Sequence, residues 1–201
     1  MLLVEIMIAV VLIAAFIQFQ RVKRQTNYKT ALLASHIDSS LEMKRTLAMG
    51  LYLRFRKEYE DDKNPIKENS IFIKQDPFLF ESFVAEVFEK ARGGSTWVSP
   101  PTGDFGVDFE HVTEEGKFLG QVKCYKGDLA FDSIATIHYN MVKQGSIGGY
   151  VVTTGSFTKI AKEYAEELNI ELIDGVKLVE LWLAGLENAE QEIKQVLPEY
   201  V

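Results

Sequence analysis

Residues 105–125, FGVDFEHVTEEGKFLGQVKCY, constrain the fold more than any other stretch of this chain. Two runs rich in apolar residues flank Thr113-Glu114-Glu115-Gly116, which has the composition of a turn. The pattern predicts two strands, Phe105 to Val112 and Lys117 to Tyr125, paired as a β-hairpin. Side chains alternate between the faces of a strand, so Gln121 and Lys123 share one face and Val122 and Cys124 the other. In a paired hairpin Asp108 lies beside Gln121 or Lys123. One small patch then holds a carboxylate, an amide oxygen and an ammonium.

The flanking segments extend this hairpin into a sheet. Asp76-Pro77 suits a helix start, with Asp as the cap and Pro in the first turn. Phe80, Phe83, Val84, Val87 and Phe88 recur at helical spacing, and Gly93-Gly94 ends that helix. Thr96 to Ser99 reads as a short strand, which Pro100-Pro101 bars from continuing as a central one. After the hairpin come a helix around Ala130 to Gln144, an apolar strand Gly149 to Thr153 and a helix Thr158 to Leu168. A short strand Ile170 to Ile173 and a helix Val176 to Leu183 follow. This order predicts an α/β domain, a mixed sheet flanked by helices.

The N-terminus reads MLLVEIMIAVVLIAAFIQFQRVKRQ. Leu2 to Phe19 is apolar apart from Glu5 and Gln18. As a helix this stretch rises about 27 Å, close to the ~30 Å of a bilayer's hydrocarbon core. Arg21, Lys23 and Arg24 follow at once, and no Lys or Arg precedes the run. The expectation is a single-pass anchor over residues 1–20 in the inner (cytoplasmic) membrane, with the C-terminal side in the cytoplasm. A buried or oligomerising helix is the alternative, since only Ile6 to Ile17 is uninterrupted. LVEIMIAVVLIAAF is also similar to the N-terminal helix of type IV pilins. We take that likeness as shared membrane-helix composition, because pilin precursors carry a basic leader ending in Gly.

Residues 21–60 lack Pro, and Leu32, Leu33, Ile37, Leu41, Met43, Leu47, Leu51, Leu53 and Phe55 recur largely at spacings of 3 or 4. One or two amphipathic helices follow. They suit a dimerising stalk and a helix packed on the globular domain equally. Glu58 to Ser70 has linker composition. The expected division is 1–20 anchor, 21–70 helical stalk and linker, and 71–201 globular domain.

Charge divides along the same lines. Residues 1–70 carry a net +3 and residues 71–201 a net −10, within a chain total of −7. An acidic domain is a poor non-specific binder of polyanions, because such binding displaces counterions from phosphates. A nucleic-acid role therefore needs a local basic patch or a metal bridge. The single cysteine, Cys124, allows no disulfide within the chain and no Cys/His zinc site, which fits a reducing compartment.

The hairpin patch suits phosphodiester chemistry. Mg²⁺ takes an octahedral oxygen shell with one or two carboxylates, waters and phosphate oxygens. It polarises a phosphoryl group and acidifies bound water, and a lysine can orient or deprotonate that water. As bare geometry the same pattern is more commonly a surface ion pair, since such pairs are routine and nearly neutral.

Four blocks add to this reading. FESFVAEVFEKA, GDFGVD, GQVKCYKG and GYVVTTGSFTKIAKEYAEELNIELIDGVKLVELW stand in this order over about residues 76–183. They resemble the catalytic domain of Mrr-type restriction endonucleases, in the PD-(D/E)xK nuclease superfamily. The resemblance implies a restriction-endonuclease-like fold and a Mg²⁺- or Mn²⁺-dependent endodeoxyribonuclease. It implies Asp108 as the metal-binding aspartate, Gln121 at the second acidic position and Lys123 as the motif lysine. Glu81, following Phe80, becomes a further metal ligand or a lysine partner, and Asp104 an acid that positions the loop. Gln in place of a carboxylate lowers the site's charge and weakens metal binding in the free enzyme. DNA is the implied substrate, with RNA as the alternative. Cutting both strands implies a homodimer, with further subunits as a source of specificity. Such domains often serve restriction of foreign DNA, and a membrane-bound one would meet phage DNA on entry. A nuclease fold that has become an inactive binding or scaffold module is the alternative.

Other residues have plainer readings. Lys126, Lys143 and Lys159 are candidates for the local basic patch. His138 suits a structural or surface role better than a general base. Cys124 falls off the candidate face and suits the core. Thr153, Thr154 and Ser156 could contact phosphate or cap the helix after them. Phe78, Phe80, Phe83 and Phe88 are spaced as core.

Overall fold

The computed structural model describes residues 2–38, 40–56, 77–100 and 105–196. Two helices come first, α1 (Leu2–Asp38) and α2 (Leu41–Phe55). The Ser40 hydroxyl caps α2 by accepting from the Met43 amide at 3.3 Å. Then follow α3 (Pro77–Arg92), β1 (Ser95–Val98), β2 (Phe109–Val112), β3 (Lys117–Lys123) and β4 (Asp128–Leu129). The chain continues through α4 (Asp132–Gln144), β5 (Gly148–Thr153), β6 (Ser156–Phe157), α5 (Lys159–Glu166), β7 (Ile170–Ile173) and α6 (Gly175–Val196).

Five strands form one sheet in the order β1-β2-β3-β5-β7. The β1-β2-β3 half is antiparallel, with Phe109 opposite Gly120 and Val112 opposite Lys117. The β3-β5-β7 half is parallel, as strands joined by the crossover helices α4 and α5 must be. β4 and β6 form a two-residue parallel ribbon of their own. The mixed sheet flanked by helices expected from the sequence is thus present.

The two sheet faces carry separate cores. On one, Phe109, Val122, Tyr150, Val152 and Ile173 pack under α2, α3 and α6. On the other, Leu119, Val151 and Ile170 pack under α4 and α5. Aromatic contacts dominate the first core. Phe88 lies 4.6 Å from Tyr150 and 5.2 Å from Phe109 between ring centroids. Each such ring is worth about 1.5–3 kcal/mol over its exposed state.

The helix α2 belongs to this core. Ala48, Leu51 and Phe55 are buried in it, and the Phe55 ring lies 5.0 Å from Phe80. Lys44 ties three helices together through Asp38 (2.9 Å) and Glu180 (2.7 Å). Within residues 21–60, packing on the domain therefore describes α2, and a free stalk does not. The physical reason is that three of its apolar residues find a ready aromatic surface on α3 and α6.

Two boundaries also differ from expectation. Helix α6 runs to Val196, past the expected end at Leu183, because Gly185 faces α3 and does not terminate the helix. A Cβ there would stand 3.0 Å from the Lys90 Cβ, so Gly185 serves close approach of two helices. Strand β2 begins at Phe109, not Phe105, because Phe105 and Gly106 have left-handed backbone.

The membrane expectation meets a different situation. Among the described residues no helix is long and apolar enough to cross a membrane. Most side chains of residues 1–9 lie outside those described, so the apolar run falls only partly within them. The linker 58–70 and the cap at Asp76 lie outside the described residues altogether.

Candidate active site

The site forms where β2 and β3 part. Phe105 (φ +50°) and Gly106 (φ +83°) both have left-handed backbone. That conformation costs a residue with a Cβ about 1–2 kcal/mol and breaks the pleat, so ladder strand cannot run back through it. Asp108 keeps the last backbone contacts. Its N–H donates to the Gly120 carbonyl at 2.8 Å, and its carbonyl accepts from the Ser99 N–H at 2.9 Å.

The next amide of β3 that points toward β2 is that of Val122. The divergence leaves no β2 carbonyl opposite it, and Asp108 Oδ2 accepts it at 2.5 Å. A charge-assisted bond of this kind fixes the carboxylate in the mouth between the two strands. Asp108 is only 4% exposed.

Gln121 stands across from Asp108, one rung beyond the Phe109–Gly120 pair, and is 5% exposed. Its Nε2 lies toward Gly106, where an added Cβ would meet Gln121 Nε2 at 3.1 Å and Thr136 Cγ2 at 2.5 Å. Gln121 Oε1 is buried and has no hydrogen-bond partner among the described residues. A buried acceptor left so costs about 1–3 kcal/mol. The other such atom among the described residues is the Ser146 hydroxyl, in the α4–β5 turn. Lys123, the last residue of β3, is half-buried on the same strand face as Gln121.

A hard divalent cation fits this arrangement. Asp108 offers a fixed carboxylate, and Gln121 offers an oxygen that the protein leaves without a donor. Both are oxygen ligands of the kind Mg²⁺ and Mn²⁺ prefer. No three His, Cys, Asp or Glu side chains converge among the described residues, so the pair at hand is one carboxylate and one amide.

The remaining site candidates are placed as follows. Glu81 lies in the second turn of α3, half-buried, on a helix that packs through Phe80 and Val84 on the sheet face away from Gln121. Asp104 lies outside the described residues. Lys126 is exposed just past β3. Lys143, in the last turn of α4, holds its ammonium 5.0 Å from the centroid of the Phe105 ring. Lys159 pairs with Glu163 at 3.3 Å, which partly neutralises it.

Several plainer readings are settled by hydrogen bonds. Thr154 Oγ1 accepts from Tyr125 N and donates to Tyr125 O, and Thr153 Oγ1 accepts from Gly155 N. Neither caps α5. Thr158 does, accepting from Ala161 N at 3.1 Å. Cys124 packs against the first core, and burial pushes its thiol up and away from reactivity. His138 is half-buried on α4.

Asn140 is a site residue that sequence reasoning passed over. It is 2% exposed, and its amide donates to the Phe105 carbonyl (3.0 Å) and the Thr136 carbonyl (2.9 Å). It thereby pins the left-handed turn to α4. The signal was present: Ile134, Ile137 and Met141 mark the buried face of α4, and Asn140 is a polar residue within that face.

A second polar cluster occupies the other end of the sheet, beside a cavity of about 740 Å³. Arg92 grips Glu171 through two bonds, 2.6 and 2.9 Å, and lies over the Phe88 and Tyr150 rings. Lys177 reaches Glu171 at 2.7 Å. Burial pushes the Glu171 carboxyl up, but hydrogen bonds from Arg92 and Lys177 together outweigh it and hold it below the ordinary range. His111 is fully buried with Nε2 2.8 Å from the Gly93 carbonyl, which puts its N–H on that nitrogen. Cavity size does not make this end the chemical one, because Arg92, Lys177 and Glu171 are already paired with one another.

Residues 73–182 match the Mrr_cat model, a restriction endonuclease domain. The match spans more than half of the chain. This chain belongs to the restriction endonuclease family. Two solved structures share the fold of this family member. One is the MspJI restriction endonuclease in complex with a 27-mer oligonucleotide, with TM-score 0.50 and 19% identity over 80% of this chain. The other is AspBHI, a DNA modification-dependent restriction endonuclease, with TM-score 0.52 and 15% identity over 80% of this chain. The chain spans 37% and 40% of the length of those two proteins. No curated protein matches it.

Proposed function

We propose that this family member is a membrane-anchored, metal-dependent DNA endonuclease that faces the cytoplasm and acts in restriction of foreign or phage DNA. The observation that carries the nuclease reading is the buried Gln121 Oε1, without a hydrogen-bond partner among the described residues and directly across from the Asp108 carboxylate. Protein interiors rarely leave an acceptor in this state, and a divalent ion would complete it. Asp108 and Gln121 would hold Mg²⁺ or Mn²⁺; Glu81, whose helix packs on the other sheet face, is the further ligand or lysine partner that the resemblance implies. A bound metal of this kind polarises the phosphoryl group and acidifies a ligating water. Lys123, on the same strand face, orients that water or takes its proton. Asp108 does two things at once, since its bond to Val122 N fixes the direction of its carboxylate before substrate arrives.

The anchor reading draws on α1. Val10, Val11, Leu12 and Ile13 are all exposed on one helix. Four consecutive helical positions point all round the axis, and a helix apolar all round is one that sits in an apolar surrounding. Residues 1–20 as anchor and 71–201 as nuclease domain then remain the working division, with α2 joined to the latter. A homodimer would supply the two sites that double-strand cleavage needs, and further subunits would supply specificity.

An inactive binding or scaffold module is the competing reading, favoured by the net −10 of residues 71–201. A plasmid-nicking assay with Mg²⁺ or Mn²⁺ separates the two. The endonuclease reading expects nicking that Asp108→Asn and Lys123→Ala abolish and EDTA stops. Nicking that survives both substitutions, or a pure wild-type chain that never nicks DNA or RNA, would overturn it. Partition of the full chain into the membrane fraction, lost on deleting residues 1–25, tests the anchor.

A further inference from the structure

Phe105 is the residue with the least reason to be where it is. It is a large apolar side chain, 74% exposed, on the left-handed backbone that suits glycine. Three features nonetheless hold it there. The buried Asn140 amide clamps its carbonyl at 3.0 Å. Gly106 beside it is wedged against Thr136 and the Gln121 amide, with room for no side chain. The Lys143 ammonium lies 5.0 Å from its ring centroid. The backbone that carries the ring is therefore fixed relative to Asp108, three residues on, and to Gln121.

Strain of this kind persists only when the surroundings over-determine it, and it concentrates at functional sites. An exposed aromatic beside an amine is also the pairing that nucleic-acid surfaces use. The ring offers a face to bases and sugars, and the amine meets phosphate. The acidic domain needs such a local cation, and Lys143 is the candidate cation that stands beside the site loop.

We propose that Phe105 and Lys143 form a substrate-positioning contact, in which the ring packs against the base or sugar edges of the strand being cut and the ammonium meets a flanking phosphate. This rests on the endonuclease reading above and adds the surface by which the scissile phosphate is held at the Asp108–Gln121 pair.

Phe105→Gly is the informative variant, because glycine accepts the left-handed backbone without strain and keeps the turn. In the full chain it should leave the melting temperature unchanged or raised. It should raise KM for plasmid nicking about tenfold, the loss of one buried aromatic contact with the strand, and leave kcat close to wild type. Binding of a short fluorescent duplex, measured in a Lys123→Ala background that does not turn over, should weaken by the same factor. The salt slope of binding should not change for Phe105→Gly, whereas Lys143→Gln should lower it by about 0.9. Phe105→Trp should bind like the parent. If Phe105→Gly binds and nicks with parental KM, or if it lowers the melting temperature as much as it weakens binding, the contact is refuted while the nuclease reading stands. If the unmodified chain neither nicks nor binds nucleic acid, the nuclease reading falls and takes this contact with it.

Discussion

Two polar clusters sit at opposite ends of the same sheet, and they are completed to different degrees. Around Arg92 and Glu171 each charge has its counter-charge, and His111 has its carbonyl. Around Asp108 one carboxylate oxygen is bonded to Val122 N, yet the neighbouring Gln121 Oε1 is buried with no donor among the described residues. Both clusters carry charge, both touch β-strands, and the saturated one lies beside a cavity of about 740 Å³. What separates them is open valence. A saturated cluster holds the fold together, and a cluster left one donor short is prepared to receive something.

That contrast can be broken or sharpened by substitution. The largest effect belongs to the open end. Asp108→Asn or Lys123→Ala should lower nicking by about a thousandfold, the scale of a lost metal or proton-transfer role, and shift the melting temperature little. The saturated end should behave in reverse. Arg92→Ala should leave kcat unchanged and cost about 2 kcal/mol, or roughly 4–8 °C of melting temperature in a chain of this size. Full activity loss in Arg92→Ala with an intact fold would erase the distinction.

A smaller effect tests the orphan acceptor directly. Gln121→Met removes a buried unsatisfied oxygen and should stabilise the metal-free protein by about 1 kcal/mol while abolishing nicking. Mn²⁺ should raise the melting temperature of the wild type and leave that of this variant unchanged. The smallest effect is acid sensitivity. The Glu171 carboxyl is held below its unfolded value, near 4.3. Its stabilisation is present above that value and fades as pH falls through the lower folded one. Melting curves of Glu171→Gln should therefore show less destabilisation than wild type in that acid window, and the two should share the same slope near neutral pH.

Much of this was legible in the sequence, and the rest has identifiable reasons. The hairpin, its pairing and the shared face of Gln121 and Lys123 follow from period-two alternation, which a strand cannot evade. The start of β2 was not legible, because GDFGVD reads as strand until Phe105 and Gly106 are seen in left-handed backbone. The extent of the last helix beyond Leu183 was not legible, because sequence does not reveal that α3 lies against Gly185. The two-residue strands β4 and β6 carry no periodicity at all. Asp108's bond to Val122 depends on the strands parting, which is a property of three dimensions.

The placement of α2 reaches beyond the site. Ala48, Leu51 and Phe55 line the principal core yet precede residue 73, where similarity to the family begins. Cropping the chain to its recognisable part would strip one wall from the interior and leave a greasy trench along α6. A well-behaved fragment for crystallisation or assay should therefore start no later than Ser40, some thirty residues upstream of where likeness alone would place the cut.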